Sequence, residues 1–86
     1  MAAVFRRVRR RLERLRRYNR GGRTREARAQ ASSILLEASG AGCRRLAARA
    51  AQLLESSGYF PAETVDSLEA QLDAAEAIWH SARCLV

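Results

Sequence analysis

Lysine is absent from this chain of 86 residues, so its 16 basic side chains are all arginine. Histidine and proline occur once each, and the only cysteines are Cys43 and Cys84. One histidine and two distant cysteines are too few for a structural zinc site or a disulfide framework. We therefore expect no metal site and no cofactor, and we expect both thiols to be reduced.

Long apolar segments are also missing. The longest run without a charged residue is 29–36, whereas a membrane-spanning helix needs about 20 predominantly apolar residues. The basic N-terminal segment is not followed by the apolar stretch of a secretory signal. The sequence thus predicts no transmembrane segment, and we expect a cytoplasmic protein.

Side chains suited to catalysis are scarce. His80 has no nucleophile or orienting acid at a spacing that would form a catalytic triad. Acids are frequent near the end of the chain, at positions expected to face solvent: Glu63, Asp66, Glu69, Asp73 and Glu76. Without a nucleophile, a base and an implied cleft, the sequence predicts that the protein is not an enzyme and has no catalytic residues.

What the chain has in excess is positive charge, and the charge is unevenly placed. Residues 1–28 hold twelve arginines and two acids, a net charge of +10, whereas residues 29–86 have a net charge of −3. The whole chain therefore carries +7. We interpret residues 1–22 as an Arg-rich amphipathic helix and residues 23–86 as a helical body.

Hydrophobic periodicity predicts four helical segments, separated by glycines and by the single proline. They cover about 4–18, 24–39, 43–57 and 62–84. The pattern leaves open whether 24–57 is two helices or one helix kinked at its glycines. The predicted fold class is all-α: a small bundle built on an antiparallel hairpin of the last two segments, with a basic N-terminal helix.

The last segment has the most regular pattern. Its apolar residues recur at alternating steps of three and four, which is typical of a heptad seam that needs a partner helix: Val65, Leu68, Leu72, Ala75, Trp79, Ala82 and Val86. A short turn near residue 59 makes the preceding helix the expected partner. Trp79 then falls opposite Gly40, and we expect this glycine to leave room for the indole ring.

The chain is small for a self-sufficient core. A domain of this length buries only about 60–65% of its unfolded surface, and many of its apolar residues are alanine. We therefore expect a partner protein, either in a hetero-complex or as a second copy in a homo-oligomer. The apolar residues predicted to carry that packing are Ile34, Leu35, Leu46, Leu53, Leu68, Leu72 and Trp79.

Arginines surround the apolar stripe of the first helix, and we predict that they dock an acidic surface. They are Arg6, Arg7, Arg9, Arg10, Arg11, Arg14, Arg16 and Arg17. An acidic protein would accept bidentate salt bridges from guanidinium groups. Nucleic acid binding through residues 1–28 and adsorption to a membrane surface are the alternatives. The sequence predicts a non-enzymatic adaptor or co-chaperone, with a basic nucleic-acid-binding protein as an alternative.

Residues 44–84 carry a Leu-rich helix that starts Arg44-Arg45-Leu46, a turn from Gly58 to Pro61 and a stretch Ala75-Glu76-Ala77-Ile78. This part of the chain resembles the YscE/PscE type of small type III secretion co-chaperones. The resemblance implies a short helical hairpin that holds a needle subunit together with a TPR-like partner and prevents its polymerisation.

Residues 4–57 carry a second resemblance. Val4-Phe5-Arg6 at the start of a basic helix looks like a degenerate LYR motif. The LYR family consists of small helical mitochondrial proteins, so the resemblance implies an assembly factor or accessory subunit that binds acyl carrier protein. A mitochondrial location is the alternative that follows from it.

Overall fold

The computed structural model describes residues 2–84, which form four α-helices and no strand. The helices are α1 (Ala2–Arg20), α2 (Thr24–Gly40), α3 (Arg44–Glu55) and α4 (Ala62–Cys84). Each helix packs against the next along the chain, and α1 also contacts α4, which closes the bundle. Consecutive helices joined by such short connections run antiparallel. The predicted all-α class is confirmed, and 24–57 is two helices.

Glycine caps explain why α1 and α2 end where they do. Gly42 has a φ of +76°, and the N–H groups of Gly42 and Cys43 donate to the carbonyls of Ser39 and Ala38. This Schellman arrangement satisfies the last carbonyls of a helix, and it favours glycine because a positive φ is costly for residues with a Cβ atom. The end of α1 repeats the arrangement, with Gly22 at a φ of +74°.

The predicted role of Gly40 is wrong. A Cβ atom at this position would have no neighbour within 4 Å outside its own stretch of helix, so the glycine makes no room for Trp79. The indole ring lies instead beside Phe5 of α1, with the ring centroids 5.7 Å apart and the planes inclined by 56°. The prediction considered only the α3–α4 hairpin, whereas α1 provides the aromatic neighbour.

One apolar core joins all four helices. It includes four large side chains of α1 at helical spacing, so the apolar stripe of the Arg-rich helix is covered by the rest of the chain. The buried apolar residues are Phe5, Val8, Leu12, Leu15, Ala27, Ala31, Ile34, Ala38, Leu46, Ala50, Leu53, Phe60, Val65, Leu68 and Leu72. The many alanines in α2 and α3 allow the helix axes to approach closely.

The connection between α3 and α4 is fastened by side chains of α1 and α2. Asn19 is only 7% exposed, and its side-chain amide pairs with the backbone of Phe60, which is fully buried. Arg28 donates to the carbonyls of Leu54 and Ser56, at 2.7 and 2.6 Å, and its guanidinium lies 5.5 Å from the centre of the Phe60 ring. Arg28 thereby satisfies one of the last carbonyls of α3 and that of the residue after the helix, groups that have no partner within the helix.

The heptad seam of α4 is covered along only half of its length. α4 has 23 residues and α3 has 12, so α4 is longer by about 16 Å at 1.5 Å per residue. Val65, Leu68 and Leu72 are buried, Ala75 and Trp79 are half-buried, and Ala82 is exposed. Val86, the last predicted position of the seam, lies outside the described residues. The seam therefore opens where α3 begins.

Candidate protein-interaction site

A groove of about 430 Å³ lies where the seam of α4 loses its cover. We call it the α4 groove. Its apolar lining comes from the start of α1, the α2–α3 connection, α3 and the C-terminal half of α4, and it includes Phe5, Cys43, Leu46, Ala75, Ile78 and Trp79. Ile78 is 65% exposed, which makes it one of the three large apolar residues on the surface of the described chain.

Trp79 lies at the edge of the core, in contact with two other aromatic rings. Its ring lies beside that of Phe5, which is 1% exposed, and the ring of His80 meets it edge-on with the centroids 5.1 Å apart. Aromatic pairs at these distances and inclinations are favourable beyond the area that they bury. The half-exposed indole therefore presents a preformed apolar surface to the groove.

The charge at the groove has one sign. Its only charged lining residues among those described are Arg44 and Arg45, which are exposed at the start of α3, and no acid lines it. Neither arginine is paired with a carboxylate in the described part of the chain. An apolar element that enters this groove would meet positive charge at its rim.

Most of the predicted apolar site residues lie inside the bundle. Five have 4% or less of their surface exposed and pack in the core of this chain: Ile34, Leu46, Leu53, Leu68 and Leu72. They hold the four helices together, and Leu46 alone among them also lines the α4 groove. The sequence predicts that a partner protein covers this apolar surface, whereas in the structure α1 covers it. Only Leu35 and Trp79 of the predicted set are half-buried.

The groove adds residues that the sequence did not single out as a site. Ile78, Ala75 and Cys43 belong to it. For Ala75 and Ile78 the signal is the length of the apolar pattern in the last segment, which extends well beyond what the shorter preceding helix can cover.

Three of the eight predicted docking arginines pair with acids of the same chain. The Arg7 guanidinium bonds Glu37 at 3.0 Å, Arg9 bonds Asp73 at 2.7 Å and also Glu76, and Arg16 lies 3.0 Å from Asp66 and 2.8 Å from Glu69. Four of the five acids expected to face solvent therefore serve as partners for α1. These pairs link α1 to α2 and α4, so the three arginines are already paired within the chain.

Arg9 is the most strongly engaged of these arginines. Its hydrogen bonds to Glu76 and Asp73 raise the pKa of the guanidinium above its ordinary value, and partial burial opposes that rise. The Nε atom donates to Glu76 at 3.1 Å. These hydrogen bonds join the flank of α1 to the C-terminal half of α4, and Glu76 precedes Trp79 by three residues.

The remaining predicted arginines are Arg6, Arg10, Arg11, Arg14 and Arg17, and none pairs with a carboxylate within the described residues. Four of them are exposed, whereas Arg11 is half-buried and its Nε has no hydrogen-bond partner in the described part of the chain. The eight arginines thus divide by the face of α1 on which they lie.

Other kinds of site find no support in the described part of the chain. Among residues 2–84 no three His, Cys, Asp or Glu side chains are grouped as metal ligands would be. Over the same residues, no helix combines the length and apolarity that crossing a membrane requires. His80 is exposed, and within the described residues its one acidic neighbour is Glu76, at 4.0 Å.

Comparison with models of protein families, with curated proteins and with solved structures finds no match for this chain.

Proposed function

We propose that the protein is a non-enzymatic helical adaptor whose α4 groove holds an amphipathic helix from an acidic partner protein. The observation that carries the proposal is the uncovered half of the heptad seam, where Ile78 is 65% exposed beside Trp79. Transfer of an exposed isoleucine side chain into an apolar environment contributes about 1.5–3 kcal/mol. Because Ile78 is already partly buried, a partner that covers it gains part of that contribution.

The periodicity of α4 supports a helix as the bound element. A seam that repeats at steps of three and four accepts side chains from a facing helix as knobs into holes. α3 already packs against α4, where Val65, Leu68 and Leu72 of the seam are buried. A partner helix that continues the line of α3 would cover the seam residues Ala75, Trp79 and Ala82 and the neighbouring Ile78.

The rim charge supports an acidic partner over a second copy. Arg44 and Arg45 flank the groove, and the chain carries a net charge of +7. Two copies would repel each other, whereas carboxylates beside an apolar stripe would pair with both arginines. The same arrangement suits a co-chaperone, because a bound amphipathic helix is shielded from self-association until it is passed on.

The test is stoichiometric co-purification of the partner from the source cells with tagged native protein and two surface variants. Ile78→Glu places a charge in the groove, and Leu36→Glu places one at a residue of α2 that is 73% exposed and outside the groove. We expect one acidic protein at a fixed ratio with the native chain and Leu36→Glu, and its loss with Ile78→Glu.

A second readout uses the single tryptophan of the chain. We expect the emission of Trp79 to shift to shorter wavelength when the purified partner is added. Retention of the partner by Ile78→Glu, or absence of any stoichiometric partner, would overturn the proposal. A dimer in light scattering that Ile78→Glu dissociates would replace the acidic partner with a second copy.

A further inference from the structure

A row of arginines follows the face of α1 that points away from the bundle. Arg6, Arg10, Arg14, Arg17 and Arg20 recur at steps of four, four, three and three, and all are exposed. None pairs with a carboxylate within the described residues. We call this row the outward arginine stripe. It is about 21 Å long at 1.5 Å per residue, with about one charge per helical turn.

The flanks of α1 limit the stripe to this face. Arg9 and Arg16 on one side bond acids of α4, and Arg7 on the other side bonds Glu37 of α2. The internal salt bridges therefore neutralise Arg7, Arg9 and Arg16 on the flanks and leave the outward arginines without a carboxylate partner in the described residues. Five cations on one rigid helix face form a concentrated positive field, which Glu13 reduces only near the middle.

The buried side of α1 argues against a membrane surface as the target. An amphipathic helix binds a bilayer by inserting its apolar face below the headgroups. The apolar face of α1 consists of Phe5, Val8, Leu12 and Leu15, each 3% or less exposed in the core. Insertion would require the bundle to open, so only the charges of the stripe are available.

The composition of the stripe favours phosphates over a protein surface. Stable protein interfaces have an apolar core with a polar rim, whereas the outward face of α1 offers arginine, Glu13 and small alanines. A phosphate backbone is bound through charge alone, with release of condensed counterions. Guanidinium groups match phosphate oxygens with paired hydrogen bonds, and a straight α-helix face fits against the backbone that borders a nucleic acid groove.

We propose that the outward arginine stripe binds the phosphate backbone of nucleic acid without sequence preference. This inference is independent of the α4 groove. Together the two surfaces would tether a bound partner protein to nucleic acid.

Salt titration of binding to labelled oligonucleotides tests the inference. The logarithm of the binding constant falls with the logarithm of salt concentration by about 0.9 per neutralised phosphate on duplex DNA. Five contacts thus predict a loss of about 500-fold between 50 and 200 mM salt on duplex DNA. Double-stranded DNA, double-stranded RNA and single strands of two unrelated sequences are measured separately to identify the source of the phosphates.

Two charge-matched double variants separate the stripe from the net charge. Arg10→Gln with Arg14→Gln removes two contacts of the stripe. The binding constant of this variant should then fall only about 40-fold between 50 and 200 mM salt. Arg44→Gln with Arg45→Gln removes the same charge at the α4 groove and should leave the salt dependence as in the native chain. Ile78→Glu alters the α4 groove and leaves the outward arginine stripe intact. We therefore expect it to keep the salt dependence of the native chain.

Three outcomes would overturn the inference. No binding to any oligonucleotide at 50 mM salt is the first. The second is an equal decrease in affinity for nucleic acid in both double variants, because net charge and not the stripe would then set the affinity. The third is stripe-dependent binding to a poly-glutamate peptide or to vesicles with anionic lipid while nucleic acid is not bound. Circular dichroism of each variant verifies that the helices remain intact.

Discussion

The side-chain amide of Asn19 and the backbone of Phe60 exchange two hydrogen bonds across 41 positions of the chain. Nδ2 of Asn19 donates to the Phe60 carbonyl at 2.8 Å, and the Phe60 N–H donates to Oδ1 at 3.2 Å. Asn19 is the only buried polar side chain among the described residues. The pair anchors the α3–α4 connection to the end of α1, so that Phe60 seals the core there.

Replacement of Asn19 by alanine leaves two buried backbone groups of Phe60 unpaired. Each buried polar group that loses its partner costs about 1–3 kcal/mol. We therefore expect Asn19→Ala to lower the free energy of unfolding by about 1–3 kcal/mol or more. Urea denaturation followed by circular dichroism measures it. Arg20→Ala is the control, since this neighbour is exposed and forms no salt bridge within the described residues. Equal stability of both variants would contradict the assignment.

The importance of Asn19 illustrates what the sequence could not reveal. Helix positions followed from periodicity and from glycine and proline, because these signals act within one turn of the residue concerned. The asparagine reads locally as a helix terminator, and only the packed structure brings Phe60 to it. Helix pairing has the same origin: Arg9 meets Glu76 only once the register of α1 against α4 is known.

The mistaken assignment of the apolar site also has a physical cause. The sequence predicts that Leu46 and Leu72 pack against a partner because the chain is short and many of its apolar residues are alanine. α1 supplies the cover despite its charge, since its arginines project to the flanks and outwards while Phe5 and Leu12 point inwards. The surface left open is therefore smaller and lies at Ile78, beyond the reach of α3.

The glycines at the α2–α3 connection give opposite predictions for the same substitution. Gly42→Ala forces alanine into a φ of +76°, which costs about 1–2 kcal/mol. Gly40→Ala replaces glycine in the last turn of α2, where a Cβ atom has no neighbour within 4 Å. We expect it to raise the free energy of unfolding by up to about 1 kcal/mol. Thermal unfolding of the two variants distinguishes them, and a shift of the same sign in both would refute the role of the cap.

The Arg9–Glu76 pair should stabilise the docking of α1 only modestly. Arg9 has 38% of its side chain exposed, so water screens the pair and we expect a coupling of about 0.5–1 kcal/mol. A double-mutant cycle of Arg9→Gln and Glu76→Gln measures the coupling, and 1 M NaCl should reduce it by screening. Coupling that is unchanged by salt would show that the pair acts through packing.

The raised pKa of Arg9 sets the sign of its effect with pH. A cationic group whose folded-state pKa lies above its unfolded value contributes fully below the unfolded pKa, and the contribution is lost only as pH rises through the folded one. Because the raised value lies above the ordinary range of arginine, Arg9→Gln should lower the free energy of unfolding equally at pH 7 and pH 10. A difference that grows between those pH values would show that another titrating group, and not the Arg9 guanidinium, sets the effect of the substitution.

Substitution of two isoleucines distinguishes a residue needed for folding from one available for binding. Ile34 is fully buried in the core, whereas Ile78 is 65% exposed at the α4 groove. Ile34→Ala should lower the free energy of unfolding by about 2–5 kcal/mol, because it removes buried apolar contacts and leaves a cavity. Ile78→Ala should change the free energy of unfolding by no more than about 0.5 kcal/mol.

The same two variants then test the groove as a binding surface. Ile78→Ala should weaken binding of the partner protein about tenfold or more, since it removes side-chain surface that the partner would bury. Urea denaturation gives the stability, and titration of Trp79 fluorescence with the partner gives the affinity. If Ile78→Ala destabilises the bundle as much as Ile34→Ala, Ile78 belongs to the core. If its stability and its affinity are both native, the partner does not use the exposed half of the seam.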